Sequence, residues 1–148
     1  MKSIQRITES QIDDIVHLFD SYRVFYKMKS DISASSVFLT ERISRGESII
    51  FAAYIGETAV GFVQLYYTFS SVSLEKSLIL NDVYVTTEYR GNSIGQQLLL
   101  KAQEYCRSNG YKGLALETVI NNPAQKLYEK LGWKKDYHCF HYFWQVKR

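Results

Sequence analysis

The chain has 148 residues, 46% of them hydrophobic and 22% charged, with a formal net charge of +3. That size and balance fit one globular domain, 1–148, with room for a sizeable core. Lys and Arg form no run, which argues against a nucleic-acid partner, and no apolar stretch is long enough to span a membrane.

Residues 4–8 read as a short strand, with Ser10 as N-cap of a helix carrying Ile12, Ile15, Val16, Phe19 and Tyr22 at helical spacing. A polar link, 29–33, leads to a second helix with Val37, Phe38, Arg42 and Ile43, ending near Gly46. Two apolar runs, 48–55 and 59–69, joined through Gly56, Glu57 and Thr58, read as a β-hairpin. A strand at 77–85 precedes a helix with Ile94, Leu98, Leu99, Ala102 and Cys106 on one face. Residues 113–117 form a short buried strand. Asn122 can cap a further helix, with the sole proline, Pro123, at its tolerated first position. That helix carries Ala124, Leu127, Tyr128 and Leu131 and stops at Gly132. The aromatic segment 133–146 reads as strand. The order β-α-α-β-β-β-α-β-α-β-β implies an α/β fold with a mixed sheet flanked by helices.

The stretch 78–100 is the most telling. A buried strand ends in a turn of Arg90, Gly91, Asn92, Ser93, Ile94 and Gly95, which opens an amphipathic helix. The first amides of a helix lack partners and point outward, and the helix dipole adds positive charge there. With Arg90 beside it, the turn is suited to the phosphates of a pyrophosphate-bearing cofactor. A P-loop would need G-x-x-x-x-G-K-[ST], and the turn holds no lysine.

Two segments resemble the GNAT superfamily of acyl-CoA-dependent N-acyltransferases, over nearly the whole chain. LNDVYVTTEYRGNSIGQQLL (80–99) is similar to its strand, pyrophosphate loop and helix, whose core is Q/R-x-x-G-x-G/A. Arg90 and Gly95 fit, and Ser93 stands where a glycine is usual. NNPAQKLYEKLGW (121–133) resembles the N-x-x-A-x-x-L-Y helix through Asn121, Ala124, Leu127 and Tyr128. Among small bacterial-type members, the chain is similar to polyamine and thialysine N-acetyltransferases and to histone-acetyltransferase-like proteins. A serine in the loop costs little where the backbone is right-handed helical, and more where φ is positive.

The resemblance implies a GNAT fold, with a mostly antiparallel mixed sheet, and transfer of acetyl from acetyl-CoA to a primary amine. It implies that the pantetheine lies along 80–85, on backbone groups near Val83 and Val85. The pyrophosphate would rest on amides from Gly91 through Asn92, Ser93, Ile94 and Gly95 to Gln96, with Arg90 beside them. Asn121, Ala124 and Tyr128 complete the cofactor side. Tyr128 occupies the position of the family's tyrosine acid. The base is Asp82, Glu117 or a water chain, because Asn81 stands where related enzymes often carry the first of two acids. Strand alternation puts Asn81 and Asp82 on opposite faces unless a bulge re-aims them.

The acceptor side falls to Tyr22, Tyr26, Asp31 and Glu117, which suit a small cationic amine. Tyr22, Tyr26 and Asp31 also fit plain packing or helix-end roles, and Tyr128 and Asp82 fit structural ones. His17, His138 and His141 have no metal spacing and read as structural, so no metal is implied. Cys106 and Cys139 make neither a disulfide framework nor a metal site, and the start MKSIQRITES lacks a signal peptide. A cytoplasmic setting follows. The C-terminal aromatics read as core or as the interface of a homodimer. A non-catalytic acyl-CoA sensor and a protein N-acetyltransferase remain the competing functions.

Overall fold

Two continuous apolar runs on either side of Gly56 build the centre of a sheet in the computed structural model, which describes residues 1–148. The elements run β1 (Lys2–Arg6), α1 (Ile12–Phe25), α2 (Ile32–Ser44), β2 (Ser48–Ile55), β3 (Thr58–Ser70), β4 (Glu75–Val85), α3 (Ile94–Ser108), β5 (Leu114–Ala115) and α4 (Gln125–Lys130). Short 3-10 turns stand at Glu9–Gln11 and Thr87–Tyr89. Two units result, Met1–Glu117 and Thr118–Arg148.

In the first unit the strands lie in the order β1-β2-β3-β4-β5. All neighbours are antiparallel except β4 and β5, which are parallel. This is the mixed, mostly antiparallel sheet that the sequence implied. Alternation sends Ile50, Ala52 and Phe62 to one face, where they pack with Ile15, Leu18 and Phe19 of α1 and Leu39 of α2. Phe51 points to the other face and meets Tyr105 of α3, ring centroids 5.6 Å apart. The stripe Ile94, Leu98, Leu99, Ala102 and Cys106 is the buried side of α3. The expected hairpin is present, and β4 begins two residues earlier than the sequence suggested.

The helix starts carry polar ties. Thr8, rather than Ser10, caps the first helical turn, and its N–H donates to Gln11 Oε1 at 3.1 Å. The Asp20 carboxylate, buried at the end of the α1 core stripe, gathers the α1–α2 link. It accepts from Ser30 Oγ at 2.6 Å and from the Asp31 N–H at 2.8 Å. Those donors hold its carboxyl below the usual carboxylate range despite burial.

The second unit holds α4 and the C-terminal segment. Asn122 Oδ1 accepts the Ala124 N–H at 2.9 Å, so the expected cap forms around Pro123. At the other end Gly132, at φ +95°, reverses the chain. Its N–H reaches Glu129 O at 3.1 Å and the Trp133 N–H reaches Tyr128 O at 3.0 Å. This is a Schellman cap, and the Tyr128–Trp133 ring contact, 6.1 Å between centroids, is its accompanying apolar pair.

Two expectations are corrected. The strand at 113–117 shrinks to Leu114–Ala115. The segment 133–146 forms no strand. Its Tyr137, Phe140, Tyr142, Phe143 and Trp144 are exposed, so they are not core. Aromatic composition makes a segment fit for a sheet, but a strand exists only with a hydrogen-bonding neighbour.

At Gly61, β3 passes so close to β4 that an added Cβ would stand 2.9 Å from Tyr84 O and 3.3 Å from Leu98 Cδ1. A backbone oxygen between two packed elements cannot yield cheaply. We predict that Gly61→Ala destabilises the protein by about 1–3 kcal/mol. Denaturant unfolding measures this, and an unchanged midpoint would show that the two strands separate freely.

Candidate active site

The site begins with a misfit in β4. Leu65 pairs with Leu80 and Gln64 with Asp82, so Asn81 is an extra residue without a partner on β3. Leu78 and Leu80 share the α3 face, and regular alternation would put Asp82 there too. The bulge turns Asp82 to the α1–α2 face instead. That settles the geometric question posed by the sequence: alternation is broken at Asn81.

Asp82 is only 2% exposed and has no ion-pair partner. Its oxygens are held by neutral donors. Asn81 Nδ2 donates to Oδ1 at 2.7 Å, and Gln64 Nε2 donates to Oδ2. Tyr22 also donates toward the carboxylate, and its hydroxyl reaches Asn81 O at 3.0 Å. Burial pushes the Asp82 carboxyl up, and the donors from Asn81, Gln64 and Tyr22 offset only part of that. Tyr66, also on this face, is pushed up by burial and by the nearby Asp82. Tyr26 stacks edge-on against Tyr22, centroids 5.0 Å apart. Tyr22, Tyr26 and Asp82 are thus gathered at one end of the sheet face.

Asp31 is placed differently. Its Oδ1 accepts the Ala34 N–H at 3.0 Å, which makes it the N-cap of α2. Glu117 is exposed and lies beyond the end of β5. Gln64 escaped the sequence reading. Its signal was a lone amide inside the apolar run GFVQLYY, at a position that alternation assigns to the core.

On the cofactor side, β4 and β5 pair only at Leu78–Leu114 and Ile79–Ala115. From Leu80 to Val85 the β4 edge facing β5 has no strand partner. Such an edge presents backbone donors and acceptors to an extended ligand. It runs directly into the turn at 90–95. Val85 O accepts Arg90 Nε at 2.9 Å, and the guanidinium lies over the Tyr84 ring at 5.4 Å. The first helical bond of α3 is Gln97 N–H to Ser93 O at 3.0 Å, which leaves the amides of Ile94, Gly95 and Gln96 ahead of it. Gly91 and Ser93 both have positive φ, +82° and +63°. Ser93 is therefore left-handed, and the right-handed case in which serine costs little does not apply. A side chain held there costs on the order of 1 kcal/mol or more, where glycine costs nothing. The turn thus fits a pyrophosphate by its free amides, its helix end and its cation.

In the second unit Tyr128 is 8% exposed. Ala124 lies one turn before it, and Asn121 precedes the Asn122 cap. No group of three His, Cys, Asp or Glu side chains is arranged to hold a metal ion. No helix is long and apolar enough to cross a membrane.

Residues 12–133 match the Acetyltransferase (GNAT) family. An uncharacterized N-acetyltransferase of Bacillus subtilis (strain 168), YhfO, is 39% identical over 141 residues, covering 95% of each chain. Thialysine N-epsilon-acetyltransferase of Bos taurus is 30% identical over 99 residues, which is 63% of this chain and 58% of that one. A crystal structure of a probable acetyltransferase superposes with TM-score 0.92 at 36% identity, covering 99% of both chains.

A carboxyl raised by burial destabilises the fold in its ionised form. Its contribution is full below its ordinary value of 3.8 and is lost as pH rises through the raised folded value. We predict that Asp82→Asn abolishes this loss, so the variant gains on the wild type as pH rises from 4 toward neutrality. Denaturant unfolding at several pH values measures the difference, and a constant gap would contradict a raised Asp82.

Proposed function

The chain belongs to the GNAT acetyltransferase family and is an acetyltransferase, and we propose that it moves acetyl from acetyl-CoA to a small cationic primary amine by direct attack in a ternary complex. The observation that carries this reading is the buried, cation-free Asp82 carboxylate beneath Tyr22, beside the unpaired edge of β4. It supplies a base where an amine nucleophile needs one. The relative named for thialysine supports an amine acceptor. The exposed Tyr26 and the partly buried Tyr22 suit a cation through their ring faces. Glu117 and Asp31 add negative charge on the acceptor side. The whole chain, 1–148, acts as one cytoplasmic catalytic domain without metal, nucleic acid or membrane, as a monomer or homodimer.

Three chemical demands assign the roles. A lysine-like amine has a pKa near 10.4, so roughly one molecule in a few thousand is neutral at pH 7. Asp82 takes the surplus proton, through a water because the carboxylate itself is buried. A carboxylate raised by burial is a better acceptor than an ordinary one. The amine nitrogen then attacks the acetyl carbonyl, whose oxygen gains charge. Backbone N–H groups on the 80–85 edge stabilise that charge. The carbon–sulfur bond breaks last, as the nitrogen loses its second proton to solvent and Tyr128 gives its phenolic proton to the departing thiolate, regaining one from solvent afterwards. Backbone groups near Val83 and Val85 hold the pantetheine. Arg90, the turn from Gly91 to Gln96, Asn121 and Ala124 hold the rest of the cofactor.

The test is CoA-thiol release from acetyl-CoA against a panel of polyamines, amino acid derivatives and aminoglycosides, with acetyl-CoA binding by calorimetry. Release that depends on one class of small amine supports the proposal. Tight binding with no such release overturns it in favour of a protein acceptor or a sensing role. We further predict that Tyr128→Phe lowers kcat, through slower thiol release, by about 10²–10⁴-fold with little change in acetyl-CoA affinity. Undiminished turnover would remove the acid role. Arg90→Ala should weaken CoA binding about tenfold or more, and an unaltered Kd would count against the pyrophosphate assignment.

A further inference from the structure

Resting on the reading of Asp82 as base, we propose that Asn81 and Gln64 are positioning residues, which act through the Asp82 carboxylate by holding its two oxygens with neutral donors.

The geometry is specific. Consecutive residues of a regular strand point to opposite faces and cannot bond side chain to side chain. Asn81 and Asp82 do so, at 2.7 Å, because Asn81 is the bulge residue. The Tyr22 hydroxyl clamps the bulge through Asn81 O at 3.0 Å. Asn81 is itself exposed, so its amide has water as an alternative and nothing in the packing forces it onto the carboxylate. Gln64 approaches from the paired position on β3 and is 0% exposed. Its Nε2 donates to Asp82 Oδ2, while its Oε1 is buried without a partner. A glutamine kept for the fold would satisfy both ends, because a buried orphan acceptor is costly. This one spends its only side-chain bond on Asp82.

The charged and titratable groups around Asp82 complete the picture. Tyr22 faces it from α1 and Tyr66 from β3. From α2, Arg42 lies near enough to influence Tyr66. It is tied to Glu41 at 3.2 Å and Glu47 at 3.0 Å instead of to Asp82. A cation on Asp82 would clamp it ionised and spoil it as a proton acceptor. Burial alone favours its neutral form. The amides of Asn81 and Gln64, with the Tyr22 hydroxyl, sit between these extremes: they favour the ionised form and offset part of the burial.

The experiment compares wild type, Asn81→Ala and Gln64→Leu by two readouts. One is the acid limb of the kcat–pH profile at saturating acetyl-CoA and amine. The other is carbon-13 NMR titration of the Asp82 carboxyl, assigned with Asp82→Asn. Each single variant should move both midpoints up by about one pH unit. A merely structural role would lower kcat or stability and leave the midpoints in place, and that result overturns the proposal. Asn81→Ala changes an exposed side chain and keeps the test decisive should Gln64→Leu fail to fold. If Asp82→Asn retains the acid limb, the reading of Asp82 as base fails, and the NMR midpoints still decide whether Asn81 and Gln64 hold the carboxylate.

Discussion

Alternation along β4 puts Leu78 and Leu80 on the α3 face, and it would put Asp82 beside them in an apolar layer. One extra residue, Asn81, shifts the register against β3 and delivers the carboxylate to the opposite side, under Tyr22. The candidate chemistry depends on that displacement. Before the bulge β4 is bonded on both sides, to β3 and to β5. After it, β4 keeps β3 but has no β5 partner, so the bulge coincides with the opening of a backbone edge. One local irregularity therefore accompanies both halves of the site, the acid on the sheet face and the edge for an extended ligand.

The surrounding structure makes the irregularity affordable. Gly61 lets β3 and β4 approach closely just beyond the bulge, with Leu98 of α3 packed against the same spot. Asp20 ties the α1–α2 link through Ser30 and Asp31, which fixes the entry to α2 beside the acceptor face. These contacts hold the frame rigid where the register breaks. The strain in the first unit is instead concentrated in short turns, at Lys27, Leu74 and Ser93, all non-glycine residues with positive φ.

Much of this was legible in the sequence because the signals were local. The five apolar positions of α3 were readable from helical spacing, and the hairpin from the polar break at Gly56–Glu57. The turn at 90–95 and the helix around Tyr128 were readable from motif. Other features depend on partners that a single segment does not reveal. The bulge is a relation between two strands, and its one trace was an acid at a position that alternation assigns to an apolar face. Gln64 left a similar trace, an amide in an apolar run. Ser93 was noticed, but its cost hung on a backbone angle that composition does not report. The aromatic tail, 133–146, has strand composition and no strand, because hydrogen-bond partners are not encoded in composition. Thr8 displaced Ser10 as cap because Gln11 reaches back to the earlier residue.

The unpaired stretch of β4 carries a consequence for the protein's life outside catalysis. A sheet whose fourth strand lacks half its ladder is an incomplete fold, and a ligand that supplies those bonds binds the folded chain and not the unfolded one. At a hundredfold excess over its dissociation constant such a ligand adds about 2.7 kcal/mol to stability, a large share of what a small domain possesses. Any extended ligand that completes the ladder therefore also prolongs the folded state of the chain.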